Sequence, residues 1–308
     1  MYRVFIDGRA GTTGLQIEGR MGLREDVELI VLPEERKKDP AARKDAINSA
    51  DFVFLCLPDA AAVEAAGMVE NSHTRIIDAS TAHRTDPAWA YGFPELSAEH
   101  RAAIAKAQFV ANPGCHATGF IALVYPLVRM GLIPADFPLS VHSLTGYTGG
   151  GKKMIEQYES PERDNEFDSP RHYGLTLNHK HIPEMMQVCG LTRKPIFCPI
   201  VCDFPQGMLV TAPLHFDLLP EGLTVERLRS AYADFYAGQG NIHVLPTPDS
   251  GFLGSNNVVG TNDLNIFVSG NGEQAIVSAQ FDNLGKGASG AAVQNLNIML
   301  GVDENYGL

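Results

Sequence analysis

The 308-residue chain has the composition of a globular protein, with 44% hydrophobic and 19% charged residues. Its formal net charge of -12 repels phosphate backbones and anionic lipids, which excludes nucleic acid and membrane surfaces as expected partners and favours small-molecule chemistry. No apolar stretch reaches the roughly 18 residues of a membrane span, no signal pattern is present and the five cysteines fit reduced thiols, so a cytoplasmic protein is expected.

Short β-rich runs alternate with helix-forming segments in the first third of the chain. The segments TGLQIEGRM, DPAARKDAINSA and DAAAVEAAGMVEN favour helices. Strands separated by helices of this size indicate crossover units and a Rossmann-type, doubly wound parallel sheet. The predicted strands are 2–7, 27–32, 51–57, 75–80 and 108–112.

The pattern changes after a predicted helix over 116–130. Strand-like runs broken by Pro, Gly and Asn predict an α+β domain with a mixed or antiparallel sheet. These runs are LSVHSLT, IFCPIVC, MLVTAPLHF, NIHVLP, LNIFVSG and QAIVSAQFD. The Gly-rich segment 285–290 then enters a last helix, which is expected to be amphipathic. The apolar residues at helical spacing in it are Ala292, Leu296, Met299 and Leu300.

Three glycines follow the first predicted strand where a helix is expected to begin. Gly8, Gly11 and Gly14 form the pattern G-x-x-G-x-x-G, a relative of the usual dinucleotide fingerprint. Glycines let the backbone approach a pyrophosphate, and helix-terminal N–H groups meet its charge. Thr12 and Thr13 add hydroxyl donors. The pattern predicts a dinucleotide site, with a tight turn that binds nothing as the alternative.

A mixed charge run after the second predicted strand bears on which dinucleotide binds. Glu34 and Glu35 suit the ribose hydroxyls of NAD, whereas Arg36 and Lys37 suit the 2′-phosphate of NADP. The two cations favour NADP. A solvated charge run at the edge of a loop is the alternative.

The motif Asn112-Pro113-Gly114-Cys115 stands where an apolar strand gives way to a helix. Pro113 disfavours helical geometry at the residue before it, and Gly114 permits a sharp reversal. Cys115 is then expected in the first helical turn, where orphan N–H groups and the helix dipole favour thiolate and lower the thiol pKa from about 8.5. Cys115 is the predicted nucleophile, whereas Cys56 inside an apolar strand is expected to be a small buried hydrophobe.

Two histidines precede a predicted helix in the segment NHKHIPEMM. Pro183 suits the first helical turn, and a histidine near a helix N-terminus is biased towards the neutral imidazole that a general base needs. His181 or His179 is therefore a candidate acid–base group, with a surface-loop histidine as the alternative. The remaining cysteines lack the C-x-x-C spacing of a zinc site, so no metal is expected.

The segment TGYTGGGKK nearly matches a phosphate-binding loop. Lys153 stands where such a loop needs Ser or Thr to bind Mg²⁺, which argues against a nucleotide triphosphatase. Pro199 in the run IFCPIVC argues in the same direction, since proline disfavours a central strand. An anion site is expected instead, in which Gly149, Gly150 and Lys152 hold a substrate phosphoryl group. A plain mobile loop is the alternative.

Taken together, these segments resemble the N-acetyl-gamma-glutamyl-phosphate reductase family in its shorter-chain type, within the wider group that includes aspartate-semialdehyde dehydrogenase. The resemblance runs almost end to end, and it departs at His116-Ala117, where the family commonly has Tyr-Pro. It rests on the glycine turn, IIDASTAHR, YGFPEL, NPGC, TGYTGGGK, the H-x-H-x-P-E segment and DNLGKGASGAAVQNLN.

The resemblance implies an NADP-dependent oxidoreductase of arginine biosynthesis. The Cys115 thiolate would attack the acyl phosphate of N-acetyl-L-glutamyl 5-phosphate, release inorganic phosphate and leave a thioester. NADPH would then reduce the thioester to N-acetyl-L-glutamate 5-semialdehyde, while His181 or His179 gives and takes the proton. Family members are homo-oligomers, which implies a dimer or tetramer.

The resemblance also implies a division of the chain. Residues 1–115 and 286–308 would form the NADP-binding domain, to which the last helix returns, and 116–285 the catalytic and dimerisation domain. Three rival functions remain open: the same chemistry on another acid such as aspartyl phosphate, a non-catalytic NADP sensor, and a cysteine hydrolase.

Five further site residues follow from the resemblance. Ser80 belongs to the strand-end Asp-x-Ser segment near the cofactor, and Asn283, Gly287 and Ala288 would border the nicotinamide. Arg84 is a candidate for a substrate carboxylate, because a guanidinium binds carboxylates in bidentate fashion. A surface arginine is the alternative at that position.

Overall fold

The computed structural model describes all 308 residues, Met1–Leu308. They divide into two compact units, one of Met1–Gly114 with Ala288–Leu308 and the other of Cys115–Gly287. Each unit is built on its own sheet. None of the helices has the length and apolar character that crossing a bilayer requires.

The first unit contains a six-stranded parallel sheet. Its strands are β1 (Tyr2–Asp7), β2 (Val27–Ile30), β3 (Phe52–Leu55), β4 (Arg75–Asp78), β5 (Ala90–Tyr91) and β6 (Phe109–Ala111). They lie in the order β2-β1-β3-β4-β6-β5, and every pair is parallel. The helices are α1 (Thr12–Met21), α2 (Pro40–Ser49), α3 (Asp59–Ala66), α4 (Ala98–Lys106) and the C-terminal helix (Gly290–Leu300). The predicted doubly wound sheet is confirmed.

Helices cover both faces of this sheet. On one face, Val4 and Ile6 of β1 pack with residues of α1, α4 and the C-terminal helix. On the other face, Phe5 packs with residues of α2 and α3. Because both faces are buried, the strands read as continuous apolar runs, which made them recognisable in the sequence.

The C-terminal helix corrects the expectation of an amphipathic helix. It follows a π-helical segment, Gly285–Ser289, and residues 290–299 are all buried, the polar ones included. The amides of Gln294, Asn295 and Asn297 are hydrogen-bonded inside the unit. A helix without a charged residue has no face that requires water, so it can be buried all round.

The second unit contains a seven-stranded mixed sheet. Its strands are β7 (Ser140–Gly146), β8 (Arg171–His172), β9 (Ile196–Cys202), β10 (Met208–His215), β11 (Ile242–Leu245), β12 (Leu264–Gly270) and β13 (Gln274–Phe281). They lie in the order β11-β12-β13-β10-β7-β9-β8, with β7–β9 and β11–β12 parallel and the other pairs antiparallel. The helices are α5 (Cys115–Arg129), α6 (Gly151–Glu159), α7 (Ile182–Cys189) and α8 (Val225–Phe235). The predicted mixed sheet is confirmed.

The expectation that Pro199 breaks a strand is wrong. β9 runs through Pro199 and pairs with β7 along its whole length. The carbonyl of Pro199 accepts from the N–H of Tyr173 on the other side, just beyond the two-residue strand β8. The N–H and C=O of one strand residue point to the same side of the strand. The N–H that proline lacks would therefore have pointed towards the end of the β8 ladder, so its absence removes no hydrogen bond between β9 and β7.

Helix α5 is fixed in the core of the second unit. It packs against α7, β10 and β13, and most of its side chains are buried. A Cβ added at Gly119 would lie 2.5 Å from Val210 and 2.7 Å from Phe281. The helix therefore lies close against the sheet, and this packing sets the position of its first residue, Cys115.

Candidate active site

Cys115 is the first residue of α5, as its motif predicts, and it is half-buried. Gly287 packs directly on it, since a Cβ added there would lie 2.9 Å from the Cys115 Cβ. The N–H of Gly287 donates to the carbonyl of Asp282 at 2.9 Å, which holds the glycine in place. Only glycine leaves room for the cysteine side chain at this contact.

Three histidines and a tyrosine of the second unit lie together with an aromatic residue of β9. The ring centroid of His116 lies 5.3 Å from that of His179 and 5.7 Å from that of His181. The rings of Tyr173 and Phe197 lie 6.0 Å and 5.4 Å from His116. The sequence predicted a role for His179 and His181 but none for His116 or Tyr173.

His116 is a neutral, buried imidazole. Its Nδ1 lies 2.6 Å from the hydroxyl of Ser143, and its Nε2 lies 2.5 Å from the hydroxyl of Tyr173. Burial, with smaller contributions from His179 and Lys180, lowers the pKa of His116 to about 3. At neutral pH it carries one N–H, so one of its nitrogens donates and the other accepts.

The buried imidazole predicts an acid-dependent loss of stability. The folded-state pKa of His116 is depressed from 6.5, so between the two values the unfolded chain binds the extra proton. Each unit of acidification from about pH 6 to about pH 4 is expected to remove about 1.4 kcal/mol from the free energy of unfolding through this group.

Denaturant unfolding at a series of pH values measures how the free energy of unfolding depends on pH. The variant His116→Gln should lack the contribution of His116 to this slope, while the control His142→Gln, at an exposed site on β7, should keep it. Equal slopes in wild type and His116→Gln would contradict the assignment.

His181 and His179 are linked at the start of α7. His181 is the residue before the helix, as the position of Pro183 predicts, and it is buried. Its backbone N–H donates to Nδ1 of His179 at 3.2 Å. Since that nitrogen accepts, a neutral His179 carries its proton on Nε2.

The glycine-rich segment of the second unit leads into helix α6. Gly151 begins the helix with φ +75°, no side chain caps its N-terminus and no acidic residue stands in its first turn. Lys152 is exposed there. Free N–H groups, an aligned dipole and a lysine make this terminus suitable for an anion. Gly149 and Gly150 lie in the preceding turn.

Asn283 supports the same segment. Its Oδ1 accepts from the N–H of Gly207 at 2.8 Å, and its Nδ2 donates to the hydroxyl of Thr148 at 3.1 Å. The side chain is buried. These contacts favour a bracing role for Asn283 over the direct cofactor contact that the resemblance implied.

The glycine turn of the first unit fits a dinucleotide. Gly8 has φ +86°, and a Cβ there would lie 2.3 Å from the carbonyl oxygen of Cys56. A Cβ at Gly14 would lie 2.7 Å from the carbonyl oxygen of Gly8, whereas one at Gly11 would meet nothing nearer than 3.6 Å. Helix α1 begins after Gly11 with no side-chain cap and no acidic residue in its first turn. The turn therefore has no room for a side chain at Gly8 or Gly14 but is not crowded at Gly11. A turn of this kind lets a pyrophosphate approach the backbone closely.

Thr12 and Thr13 are the first residues of α1 and are half-buried. Arg36 and Lys37 lie beyond β2, exposed, and each pairs with a neighbouring carboxylate. The Arg36 guanidinium lies 3.3 Å from Asp39, and the Lys37 ammonium pairs with Glu34. Exposed pairs of this kind contribute only about 0–1 kcal/mol, so a phosphate can compete for either cation.

Ser80 and Arg84 make internal contacts in the first unit. The Ser80 hydroxyl donates to the buried carboxylate of Asp78 at 2.7 Å. The Arg84 guanidinium donates to the carbonyls of Asn112 and Ala79 at 2.9 and 3.0 Å. Arg84 is buried, so the surface-arginine alternative is wrong, and its contacts favour a structural role over the capture of a carboxylate.

Ala288 also lies in the first unit. Its carbonyl accepts from Nδ2 of Asn112 at 3.0 Å, and the Asn112 Oδ1 accepts from Nδ2 of Asn295 at 3.1 Å. The two asparagines therefore link the C-terminal helix to the strand-end motif that precedes Cys115 in the chain.

Two family models cover most of the chain. Residues 10–104 match the semialdehyde dehydrogenase NAD binding domain, and residues 115–283 match the semialdehyde dehydrogenase dimerisation domain. Solved structures agree on the fold. Aspartate semialdehyde dehydrogenase from Francisella tularensis superposes with a TM-score of 0.73 at 13% identity, over 97% of this chain and 100% of that chain. The chain thus has the architecture of the semialdehyde dehydrogenase class of oxidoreductases.

Closer relatives narrow the class. N-acetyl-gamma-glutamyl-phosphate reductase of Burkholderia cenocepacia (strain HI2424) is 49% identical over 97% of both chains. N-acetyl-gamma-glutamyl-phosphate reductase 2 of Nostoc sp. is 47% identical over 99% of both chains. The chain belongs to the N-acetyl-gamma-glutamyl-phosphate reductase family.

Proposed function

We propose that this protein catalyses the NADPH-dependent reduction of N-acetyl-L-glutamyl 5-phosphate to N-acetyl-L-glutamate 5-semialdehyde and inorganic phosphate, in arginine biosynthesis. The observation that carries the proposal is 49% identity over 97% of both chains to a relative of that name. A cysteine at the start of a buried helix adds the group that the chemistry needs.

The first unit is the proposed NADP-binding domain. The backbone of Gly8, Gly11 and Gly14 would hold the pyrophosphate, and the hydroxyls of Thr12 and Thr13 would add donors at the start of α1. Bound NADPH supplies the hydride. The exposed cations Arg36 and Lys37 would hold the 2′-phosphate, because both lie just beyond β2, where this fold recognises the ribose.

Cys115 is the proposed nucleophile. Its thiolate, favoured by the N–H groups at the start of α5, attacks the acyl carbon of the substrate. A carbon–sulfur bond forms, the carbon–oxygen bond to the phosphoryl group breaks and phosphate departs with the electron pair. Once hydride has reached the thioester carbon, the resulting thiohemiacetal collapses, which frees the semialdehyde and restores the thiolate.

His181 is the proposed acid–base group, with His179 as the alternative. A proton held at the thiohemiacetal oxygen and removed on collapse requires an imidazole that changes charge near neutral pH. His181 is fixed at the N-terminus of α7, and its backbone N–H orients His179. One of these two imidazoles would transfer the proton, and the other would hold the first in the orientation that the transfer needs.

The start of α6 is the proposed phosphoryl site. The segment Gly149–Gly150 presents backbone N–H groups and Lys152 presents a charge, and both suit the departing phosphate. Asn283, through Thr148, would keep the segment in shape. Gly287 would keep space beside Cys115, and Ala288 and Ser80 would support the cofactor through the contacts described above.

A homo-oligomer, dimer or tetramer, is part of the proposal. It is supported by the match of residues 115–283 to a dimerisation domain.

A cytoplasmic location is also proposed, since all five cysteines are free thiols, as expected in a reducing compartment.

The reverse reaction tests the proposed function. Purified protein, N-acetyl-L-glutamate 5-semialdehyde, NADP⁺ and phosphate should produce reduced nicotinamide absorbance. The signal should require phosphate, and arsenate should replace it, because either anion can accept the acyl group from the thioester. Aspartate semialdehyde is the matched control and should be turned over far more slowly. No signal from folded protein, or a preference for aspartate semialdehyde, would overturn the assignment.

A further inference from the structure

The imidazole of His179 is surrounded by rings from separate segments of the second unit. Its ring centroid lies 5.3 Å from those of both His116 and Phe197. The rings of His181 and Tyr173 lie 4.8 and 5.8 Å away. The angles between the ring planes run from 61° to 89°, so these rings meet His179 edge to face. A side chain packed in this way can turn only if its neighbours move.

His116 is the member of this group whose own ring is held by hydrogen bonds at both nitrogens. Its Nδ1 lies 2.6 Å from the hydroxyl of Ser143, and its Nε2 lies 2.5 Å from the hydroxyl of Tyr173. Ser143 and His116 are 0% and 3% exposed. Two hydrogen bonds in the ring plane fix the orientation of that plane. The surface that His116 presents to His179 is therefore fixed as well.

The hydrogen bond between His179 and His181 requires an unprotonated Nδ1. The backbone N–H of His181 donates to Nδ1 of His179 at 3.2 Å, immediately before α7. A second proton on His179 would occupy this nitrogen, break the bond and set two donors against each other. This geometry suits a neutral imidazole that orients its neighbour, rather than one that takes up a proton in each turnover.

The titratable groups around His179 suit a neutral ring. Burial lowers the pKa of His116 to about 3, so that imidazole is uncharged at neutral pH. Burial raises the pKa of Tyr173, so its phenol keeps its proton. Lys180 is the next residue in the chain, and its charge disfavours a second cation beside it.

We propose that His116 is a positioning residue for the candidate acid–base pair, because it holds the imidazole of His179 in the orientation in which Nδ1 accepts from the His181 N–H. His179 in turn holds the residue before α7, and with it the His181 side chain that is assigned to proton transfer. The inference rests on the proposed function in taking His181 as the acid–base group. His116 acts through His179.

Steady-state kinetics of the reductase test this role. His116→Leu removes both hydrogen bonds of the imidazole and is expected to lower kcat by about tenfold, while the KM values for NADPH and the acyl phosphate change by less than about twofold. A misplaced proton donor slows the chemistry without loss of binding. His116→Gln, whose amide can bond on both sides, should recover most of kcat. The control Tyr232→Phe, which removes a buried phenol that donates to the Leu123 carbonyl, should leave kcat unchanged.

The tautomer of His179 gives a second readout that needs no substrate. In protein with isotope-labelled histidine, long-range proton–nitrogen NMR spectra near neutral pH should show His179 as a single Nε2–H tautomer, assigned by the loss of its signals in His179→Gln. In folded His116→Leu these signals should show a mixture of both tautomers. If His116→Leu does not fold, Tyr173→Phe takes its place. It removes the bond to His116 but keeps the ring beside His179, so it should give a smaller change of the same kind.

A single, unchanged tautomer of His179 in folded His116→Leu would overturn the inference, as would a wild-type protein in which Nδ1 of His179 carries the proton. A changed tautomer without any loss of kcat would overturn the catalytic importance of His116. The spectra are separate from the proposed function, because they need neither substrate nor NADPH. The expected spectra in a protein without reductase activity would support the orientation of His179 by His116 and refute the reductase. Full reductase activity in both wild type and folded His116→Leu would do the reverse.

Discussion

Replacing Cys115 with serine is expected to lower reductase activity by about four orders of magnitude or more, because the hydroxyl stays protonated and cannot attack the acyl phosphate. The helix N-terminus that favours a thiolate cannot ionise an alcohol near neutral pH. Initial rates with N-acetyl-L-glutamyl 5-phosphate and NADPH measure the loss. NADPH binding, followed by nicotinamide fluorescence, should be unchanged because Cys115 lies in the second unit.

Cys198→Ser is the matched control. Cys198 is also half-buried, and it lies within the strand β9 rather than in the first turn of a helix. It should keep nearly full activity. Equal activity in Cys115→Ser and wild type would leave the family membership intact but refute the covalent mechanism, whereas a folded wild type without any reductase activity would favour a non-catalytic NADP sensor.

Replacing Gly8 with alanine is expected to abolish NADPH binding and to lower the free energy of unfolding by about 2–4 kcal/mol. The added Cβ would lie 2.3 Å from the carbonyl oxygen of Cys56, at φ +86°. Both colliding groups are fixed by the main chain, so the turn after β1 must change shape. Denaturant unfolding and a fluorescence titration with NADPH measure the two effects.

Gly19→Ala separates this effect from a general sensitivity to alanine. Gly19 lies within α1, and a Cβ there meets nothing within 4 Å. That variant should be more stable by about 0.5–1 kcal/mol, because alanine favours a helix over glycine, and it should bind NADPH normally. Normal binding by Gly8→Ala would show that the turn does not hold the pyrophosphate.

The architecture was predictable because burial leaves a strong pattern in this chain. Strands such as β3, with sequence FVFL, are buried on both faces and stand out between helix-forming segments. Turn residues mark their ends, so the order of elements follows from the sequence. Strand ends were less certain: β2 ends at Ile30, two residues before the predicted limit, where the chain turns into a short 3₁₀ helix at Glu34–Arg36.

The errors arose where tertiary pairing decides the outcome. Proline opposes a strand only if its missing N–H is needed, and at Pro199 that depends on where β8 ends. The C-terminal helix has amides on its apparent polar side, and these find partners inside the first unit. No local pattern reports whether such a partner exists.

The residues of the candidate site also divide into those that local sequence patterns indicate and those that only tertiary contacts determine. The position of Cys115 at the start of α5 could be predicted because strand-breaking residues precede it, and the tight turn at Gly8 and Gly14 because such a turn excludes side chains. The burial of Arg84 could not be predicted, because one of its backbone partners, the carbonyl of Asn112, belongs to a segment 28 residues further along the chain. The hydrogen bonds of His116 with Ser143 and Tyr173 join three separate segments of the chain, and their one local signal was the unusual residue His116 itself.

Trapping of the acyl-enzyme would decide whether catalysis passes through a thioester on Cys115. Protein is mixed with N-acetyl-L-glutamyl 5-phosphate in the absence of NADPH, quenched in acid and analysed by intact and peptide mass spectrometry. We expect one N-acetylglutamyl group per chain, on the peptide that contains Cys115, and none in Cys115→Ser. Reductase turnover by a protein that forms no such adduct, or that carries it on another residue, would contradict a thioester mechanism at Cys115.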